Sequence, residues 1–279
     1  GVNGKRFLSL KGGMSRNGQV IKKEKVARSF LRGLPTYDQQ AIVQGKVNER
    51  LIALLERCRC NGKDRILEVG CCTGMFTELI SDRLAPGTLY INDLVPEFYK
   101  PVMKRLDEGA QRSIQPFFGD IERMEIPGGL DLVVSSSAFQ WISDLDALLE
   151  TIADALKDQG MLIFSMFGED TFYELKELTE AGLIYHSLSS IRDMLDRNFR
   201  IIECSVERDQ VFFSSPREVL RHIQDTGVGG VGGYTWTPRR LEAFSKGYKE
   251  RFLSEKGVSL SYVSYYFAAV KRCDGNENK

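Results

Sequence analysis

The chain has 279 residues, of which 42% are hydrophobic and 27% charged, with 38 basic and 38 acidic side chains. That length suits one large domain or two small ones and can bury a core without disulfide or metal staples. The composition excludes collagenous, mucin-like and wholly disordered chains, and the lack of a basic excess argues against a general nucleic-acid binder. No stretch approaches the ~18 consecutive apolar residues of a membrane span, and the apolar run from Phe7 to Leu10 is too short for a secretion signal. The cysteines Cys58, Cys60, Cys71, Cys72, Cys204 and Cys273 are therefore expected as reduced thiols of a cytoplasmic protein. The first four lack zinc-ligand spacing and both histidines lie far off, so no metal is expected.

Residues 1–20 are rich in Gly, Ser, Asn and Lys with no apolar period, and read as a flexible tail. From Lys22 to Leu55 the apolar residues Val26, Phe30, Ile42, Val47, Leu51, Leu54 and Leu55 fall at helical intervals. Gly33-Leu34-Pro35 splits that run into two helices, because proline removes a donor and restricts the residue before it. Strand patterns then occupy 65–69, 88–93, 115–118, 131–135 and 161–165, separated by helical patterns at 75–83, 96–108 and 144–157. Such alternation predicts an α/β fold with a mainly parallel sheet and helices on both faces. Beyond it the sequence predicts helices at 170–181 and 190–196, a sixth strand at 199–206, and a helix at 216–225. A glycine cluster from Gly227 to Gly233 follows, then a helix at 238–253 entered through Thr237 and Pro238, and a last strand at 259–270.

The sharpest local signal is Ile66-Leu67-Glu68-Val69-Gly70-Cys71-Cys72-Thr73-Gly74. A strand ending in an acidic residue feeds a small-residue turn and then a helix, so the backbone can pass close to a ligand. The carboxyl end of a parallel strand is where open α/β sheets bind ligands. A dinucleotide loop needs G-x-G-x-x-G to meet a pyrophosphate, but the required positions hold Cys72 and Met75. Glu68 also disfavours a pyrophosphate. It suits S-adenosylmethionine, which carries a cationic amine and sulfonium and no phosphate. A glycine turn without any ligand is the bland alternative for this stretch taken alone.

The stretch resembles the first motif of class I S-adenosylmethionine-dependent methyltransferases, acidic-x-Gly-x-Gly-x-Gly, matching at Glu68, Gly70 and Gly74 and departing at Cys72. Asp93, with Leu94 beside it, lies 23 residues after Gly70 at the end of the second strand, where a carboxylate can accept hydrogen bonds from ribose hydroxyls. The third strand ends in Gly119-Asp120-Ile121. In the family such a run contacts adenine, which implies that Asp120 accepts from the exocyclic amine and the Ile121 N–H donates to the ring. Each acid alone also reads as an ordinary strand-end residue. Three successive strand ends carrying Glu68, Asp93 and Asp120 make coincidence a poor account. Ser135 and Ser136, closing the fourth strand, are expected to line the methionine portion of the donor.

The resemblance narrows on Gln140-Trp141, on Tyr37 in the N-terminal helices, on the run from Pro216 to His222, and on Ser261-Tyr262-Val263-Ser264-Tyr265-Tyr266-Phe267. These look like the malonyl-acyl-carrier-protein O-methyltransferases of biotin synthesis, over most of residues 22–272. The resemblance implies a Rossmann-like seven-stranded sheet with an antiparallel last strand. It implies one methyltransferase domain over 21–272: a helical lid at 21–60, a donor-binding core at 61–165, helical insertions and the sixth strand at 166–258, and the last strand at 259–270. Residues 273–279 read as a tail. The implied reaction methylates the free carboxyl of malonyl-acyl-carrier protein, or malonyl-CoA, leaving S-adenosylhomocysteine.

A malonyl carboxylate is already ionised at neutral pH and needs no general base, in keeping with a chain whose only histidines are His186 and His222. Arg221 is the expected carboxylate partner, with Arg217 one turn before it; two solvated arginines are the alternative. Tyr37 is expected either to touch substrate or to close the lid, Trp141 to line the acceptor side or pack in the core, and His222 to pack or meet a partner. Arg192, Arg197, Arg200, Arg217, Arg239 and Arg240 are a candidate receiving surface for acyl carrier protein, typically acidic. The rival readings are a same-fold enzyme acting on another carboxylate or a quinone-type acceptor, an NAD-dependent oxidoreductase, and a non-catalytic donor-binding module.

Overall fold

The computed structural model describes residues 21–179, 184–226 and 236–273. The expected tail at 1–20, the glycine cluster at 227–233 and the end of the helix expected at 170–181 lie outside the described residues, as do 274–279.

Three N-terminal helices, α1 (Lys23–Gly33), α2 (Tyr37–Gln40) and α3 (Ile42–Arg57), precede the sheet. The sheet and its crossovers run β1 (Arg65–Val69), α4 (Met75–Leu84), β2 (Thr88–Asn92), α5 (Tyr99–Arg105), α6 (Glu108–Gln111), β3 (Ile114–Pro116), β4 (Leu130–Ser136), α7 (Leu145–Ala155) and β5 (Leu156–Phe167). There follow α8 (Tyr173–Lys176), α9 (Leu188–Leu195), β6 (Phe199–Phe213), α10 (Pro216–Asp225), α11 (Pro238–Phe252), the two-residue β7 (Leu253–Ser254) and β8 (Gly257–Lys271). Strand order is β3-β2-β1-β4-β5-β8-β6, with β7 on β8. The first five strands pair in parallel, and β8 inserts antiparallel between β5 and β6. The expected α/β architecture is thus present, with one small additional strand.

Period-two alternation builds a core on each face. Ile66, Ile91, Leu132, Val134 and Ile163 face α1, α3 and α4, while Leu67, Val133, Leu162 and Phe164 face α7 and α9. Strand order reverses between β1 and β4, and their carboxyl ends open a crevice at that switch point. α1 lies over it.

Several lengths differ from expectation. β6 continues past 206 because Glu207, Arg208, Asp209 and Gln210 pair with Ser264, Val263, Tyr262 and Ser261 of β8; tertiary pairing overrides their weak strand preference. Helix α7 stops at Ala155 because Leu156 pairs with Leu130. Among the described residues of 170–181 only α8 is helical; it starts after Phe172 at φ 58°, where Thr171 Oγ1 donates to Val263 O at 3.0 Å. No helix among the described residues is long and apolar enough to cross a membrane. No group of three or more metal-ligating side chains occurs among them either.

Candidate active site

The crevice encloses about 840 Å³ of empty space, part of it open to solvent, within the range of small-molecule sites. Its floor is the turn after β1. Gly70 (φ +82°) and Gly74 (φ +86°) adopt left-handed backbone, and a Cβ on Gly70 would stand 2.3 Å from the Ala138 Cβ. Cys72 is left-handed too, at φ 48°. The departure from the glycine motif therefore keeps the glycine conformation in a residue small enough to tolerate it. Asn92 O accepts from Gly70 N–H at 2.8 Å and from Cys71 N–H at 2.9 Å, seating the turn on the end of β2.

Asp93 organises the next layer. Its Oδ2 accepts the Cys72 N–H and its Oδ1 the Val95 N–H, both at 2.9 Å. The carboxyl also lines the crevice. Burial raises its pKa to about 6, while the backbone N–H donors pull the other way. Glu68 lies beneath the turn rather than in the crevice wall, 1% exposed. Thr77 Oγ1 donates to its Oε2 at 2.7 Å, and Oε1 has no partner. Burial pushes Glu68 up to about 8, against the Thr77 hydrogen bond. A buried carboxyl with an orphaned oxygen fits a cationic ligand above the turn and does not fit a phosphate.

β3 ends at Pro116, short of the expected 118, and Asp120 and Ile121 line the crevice from the turn beyond it. Asp120 Oδ1 accepts from Lys23 Nζ at 2.7 Å, and Lys23 also pairs with Glu122. Glu122 in turn accepts from the Ser143 and Asp144 N–H groups. α1 is thereby tied across the opening to the far side of the sheet. At the end of β4, Ser136 lines the crevice and its Oγ donates to Asn48 Oδ1 at 2.6 Å. Ser135 is fully buried and bonds Val69 O at 2.9 Å, bracing the β1 turn from behind.

The roof is aromatic. Phe30 of α1 meets Trp141 edge-on at 5.7 Å and Tyr37 at 6.3 Å, and all three line the crevice. Burial first, then the neighbouring Cys72, push the Tyr37 hydroxyl well above the usual tyrosine value, so it stays a proton donor. Thr73 Oγ1 donates to Asp38 Oδ1 at 2.7 Å, Arg105 pairs with the same carboxylate, and Arg105 Nε donates to Thr73 O at 2.8 Å. Tyr37 is thus anchored to the β1 turn through its neighbour.

The structure accordingly brings Tyr37, Trp141, Gly70, Cys72, Asp93, Leu94, Asp120, Ile121 and Ser136 into one wall. Glu68, Gly74 and Ser135 support that wall from behind. Arg221 is not among them: it and Arg217 stand exposed on the outer side of α10. Val219, His222 and Ile223 take the inward positions there, and Thr226 is the residue from this end of the helix that reaches the crevice. His222 packs against Tyr262, with Nε2 and the hydroxyl oxygen 2.7 Å apart, and burial lowers its pKa to about 4. Of the arginines expected to receive a partner, Arg197 is already paired with Asp146. Sequence reasoning missed Lys23, Gln44, Asn92, Phe98, Phe167 and Thr226, which also line the crevice. The spacing Lys23, Val26, Ala27, Phe30 marks one helical face, but nothing in it says which surface that face covers.

A family model described as a methyltransferase domain matches residues 43–227. A malonyl-[acyl-carrier protein] O-methyltransferase of Calditerrivibrio nitroreducens is 35% identical over 243 residues, 87% of this chain and 95% of that protein. The enzyme of the same name from Prosthecochloris aestuarii is 35% identical over 257 residues, 91% and 96% of the two chains. Among solved structures, a putative methyltransferase from Bacillus halodurans superposes with a TM-score of 0.61 at 15% identity, covering 80% of this chain and 99% of that one. The N-methyltransferase NodS of Bradyrhizobium japonicum, in complex with S-adenosylhomocysteine, gives a TM-score of 0.52 at 14% identity over 90% of this chain and 100% of its own. The structural likenesses establish the fold and the sequence relatives the family: this chain belongs to the malonyl-[acyl-carrier protein] O-methyltransferases.

Proposed function

We propose that the chain transfers the methyl group of S-adenosylmethionine to the free carboxylate of a malonyl thioester on acyl carrier protein, an early step of biotin synthesis. The products are the malonyl methyl ester and S-adenosylhomocysteine. The observation that carries this reading is the convergence of Asp93, just after β2, and Asp120, in the turn beyond β3, on one crevice, with Glu68 of β1 buried beneath its floor. Asp93 would accept from the ribose hydroxyls, Asp120 and Ile121 would meet the adenine, and Glu68 would oppose the positive charge from below.

When bound, the donor supplies a methyl carbon made electrophilic by its sulfonium. The chain's own contribution is positioning, because in-line displacement gains chiefly from alignment. An ionised carboxylate is already a nucleophile, and no histidine lines the crevice among the described residues. Tyr37, held protonated, can donate a hydrogen bond to the acceptor without removing a proton from it. Gln44 and Gln140 line the same wall, and each has a side-chain oxygen without a protein partner. Those oxygens only accept, so they face hydrogen-bond donors and leave the acceptor carboxylate to the Tyr37 hydroxyl, a neutral donor that keeps it nucleophilic as a paired guanidinium would not. Phe30, Trp141 and Phe167 keep the wall apolar, which strengthens attraction between carboxylate and sulfonium. Residues 21–60 act as the lid, with Lys23 as its fastening. Esterification neutralises the chain end, which then suits apolar channels that reject a charge.

Acceptor profiling with methyl-labelled donor tests the reading. Label is expected on malonyl-acyl-carrier protein as a base-labile methyl ester; turnover of a phenolic acceptor with none of the malonyl thioester would reject it.

A further inference from the structure

We propose that the outward faces of α1 and α10 form a cationic docking surface, at the mouth of the crevice, for an acidic protein that carries the acceptor. This rests on the acyl-carrier reading above and goes beyond it in assigning the surface that meets the carrier.

α1 has two opposed faces. Lys23, Val26, Ala27 and Phe30 line the crevice. Lys25, Arg28 and Arg32, spaced i, i+3 and i+7, stand exposed on the far side. On α10 the exposed stripe holds Arg217 and Arg221 at i and i+4, with Val219, His222 and Ile223 turned inward. The two helices touch: a Cβ on Gly33, the last residue of α1, would stand 2.3 Å from Asp225 O at the end of α10. Their stripes thus flank one opening, which Phe30 and Thr226 line from the two helices.

Two observations mark this cluster. Several arginines elsewhere are paired with carboxylates: Arg50 with Asp209, Arg57 with Glu203, Arg105 with Asp38. Among the described residues Lys25, Arg28, Arg32, Arg217 and Arg221 have no ion-pair partner; Arg28 and Arg32 only return hydrogen bonds to carbonyls of the preceding turn. In addition, like charges at i, i+3 and i+4 cost a helix stability, and a chain of zero formal net charge has no general surplus to explain them. An acidic surface would relieve that repulsion and steer encounter toward the crevice. A thioester tethered to such a partner enters beside Phe30.

The test uses the full chain carrying Arg28→Glu with Arg32→Glu, and separately Arg217→Glu. Kinetics with malonyl-acyl-carrier protein and malonyl-CoA, and titration of unloaded carrier protein at several salt concentrations, are read side by side. Reversal should raise KM for the protein-borne substrate and weaken carrier binding by roughly tenfold or more. kcat, KM for malonyl-CoA and the melting temperature should stay unchanged, and salt should erase most of the difference. Equal effects on both carriers, or none on either, would overturn the proposal. Salt-sensitive carrier binding that is lost on reversal, with no methyl transfer to either thioester, would leave the docking surface standing and refute the acceptor assignment instead.

Discussion

Replacing Asp93 by alanine removes a brace and a ligand contact together, and the two losses separate by assay. The carboxylate holds the N–H groups of Cys72 and Val95 at 2.9 Å each. Leaving a buried donor unpaired costs about 1–3 kcal/mol. Val95 is 2% exposed and bears that cost in full, whereas water in the crevice can reach the Cys72 side. Unfolding free energy should therefore fall by about 2–4 kcal/mol, survivable against the ~5–15 kcal/mol of an ordinary domain. Lost ribose hydrogen bonds should weaken donor binding by a further ~1–3 kcal/mol, roughly fivefold to 150-fold. Urea unfolding reads the first quantity, and calorimetric titration with S-adenosylhomocysteine of the folded variant reads the second. Donor affinity within twofold of the parent, alongside reduced stability, would make Asp93 a loop brace and refute its part in the site.

Glu68 and Asp93 both sit above their usual carboxyl values, at about 8 and about 6. A raised folded-state pKa means that the folded chain holds protons the unfolded chain has released. This contribution is therefore full below about pH 4 and is lost as pH rises through about 8, in the ligand-free protein. Glu68→Gln should flatten the upper part of that decline in melting temperature between pH 6 and 8. A cation above Glu68 favours its ionised form, so donor binding should release protons near neutrality. Calorimetry in two buffers of different ionisation enthalpy reads that release, which Glu68→Gln should abolish. Gly70→Ala puts a Cβ 2.3 Å from Ala138 at φ +82°, a strain of ~1–2 kcal/mol before the clash. Donor titration should show binding largely lost in a chain that still melts cooperatively; unchanged affinity would show that the turn does not approach the ligand.

Where one stretch of sequence decides its own geometry, the fold was legible. β1 occupies Arg65–Val69 as its short apolar run indicated, and α11 begins at Pro238 after the Thr237 cap, as the threonine and proline foretell. The donor side was readable for the same reason: Glu68 and Asp93 stand at strand ends and Asp120 in the turn after β3, and parallel strands bring those ends together. Long-range charge placement was not. Lys23 reaches Asp120 across 97 residues of sequence, which no local pattern encodes. Arg217 and Arg221 share a helical face, but that spacing does not say whether the face points in or out. Val219 and Ile223, also four apart, are the apolar pair that takes the inward side. β6 runs long because β8 supplies partners, a fact held by neither segment alone.

Soaking crystals of the full chain with S-adenosylhomocysteine is the most direct test of the central claim, that the crevice beside Gly70 holds a nucleoside with a methionine tail. Density is expected there, with the ribose hydroxyls on Asp93, the adenine against Ile121 and the amine above Glu68. Density elsewhere, or an empty crevice with Asp93 turned into solvent, would contradict it.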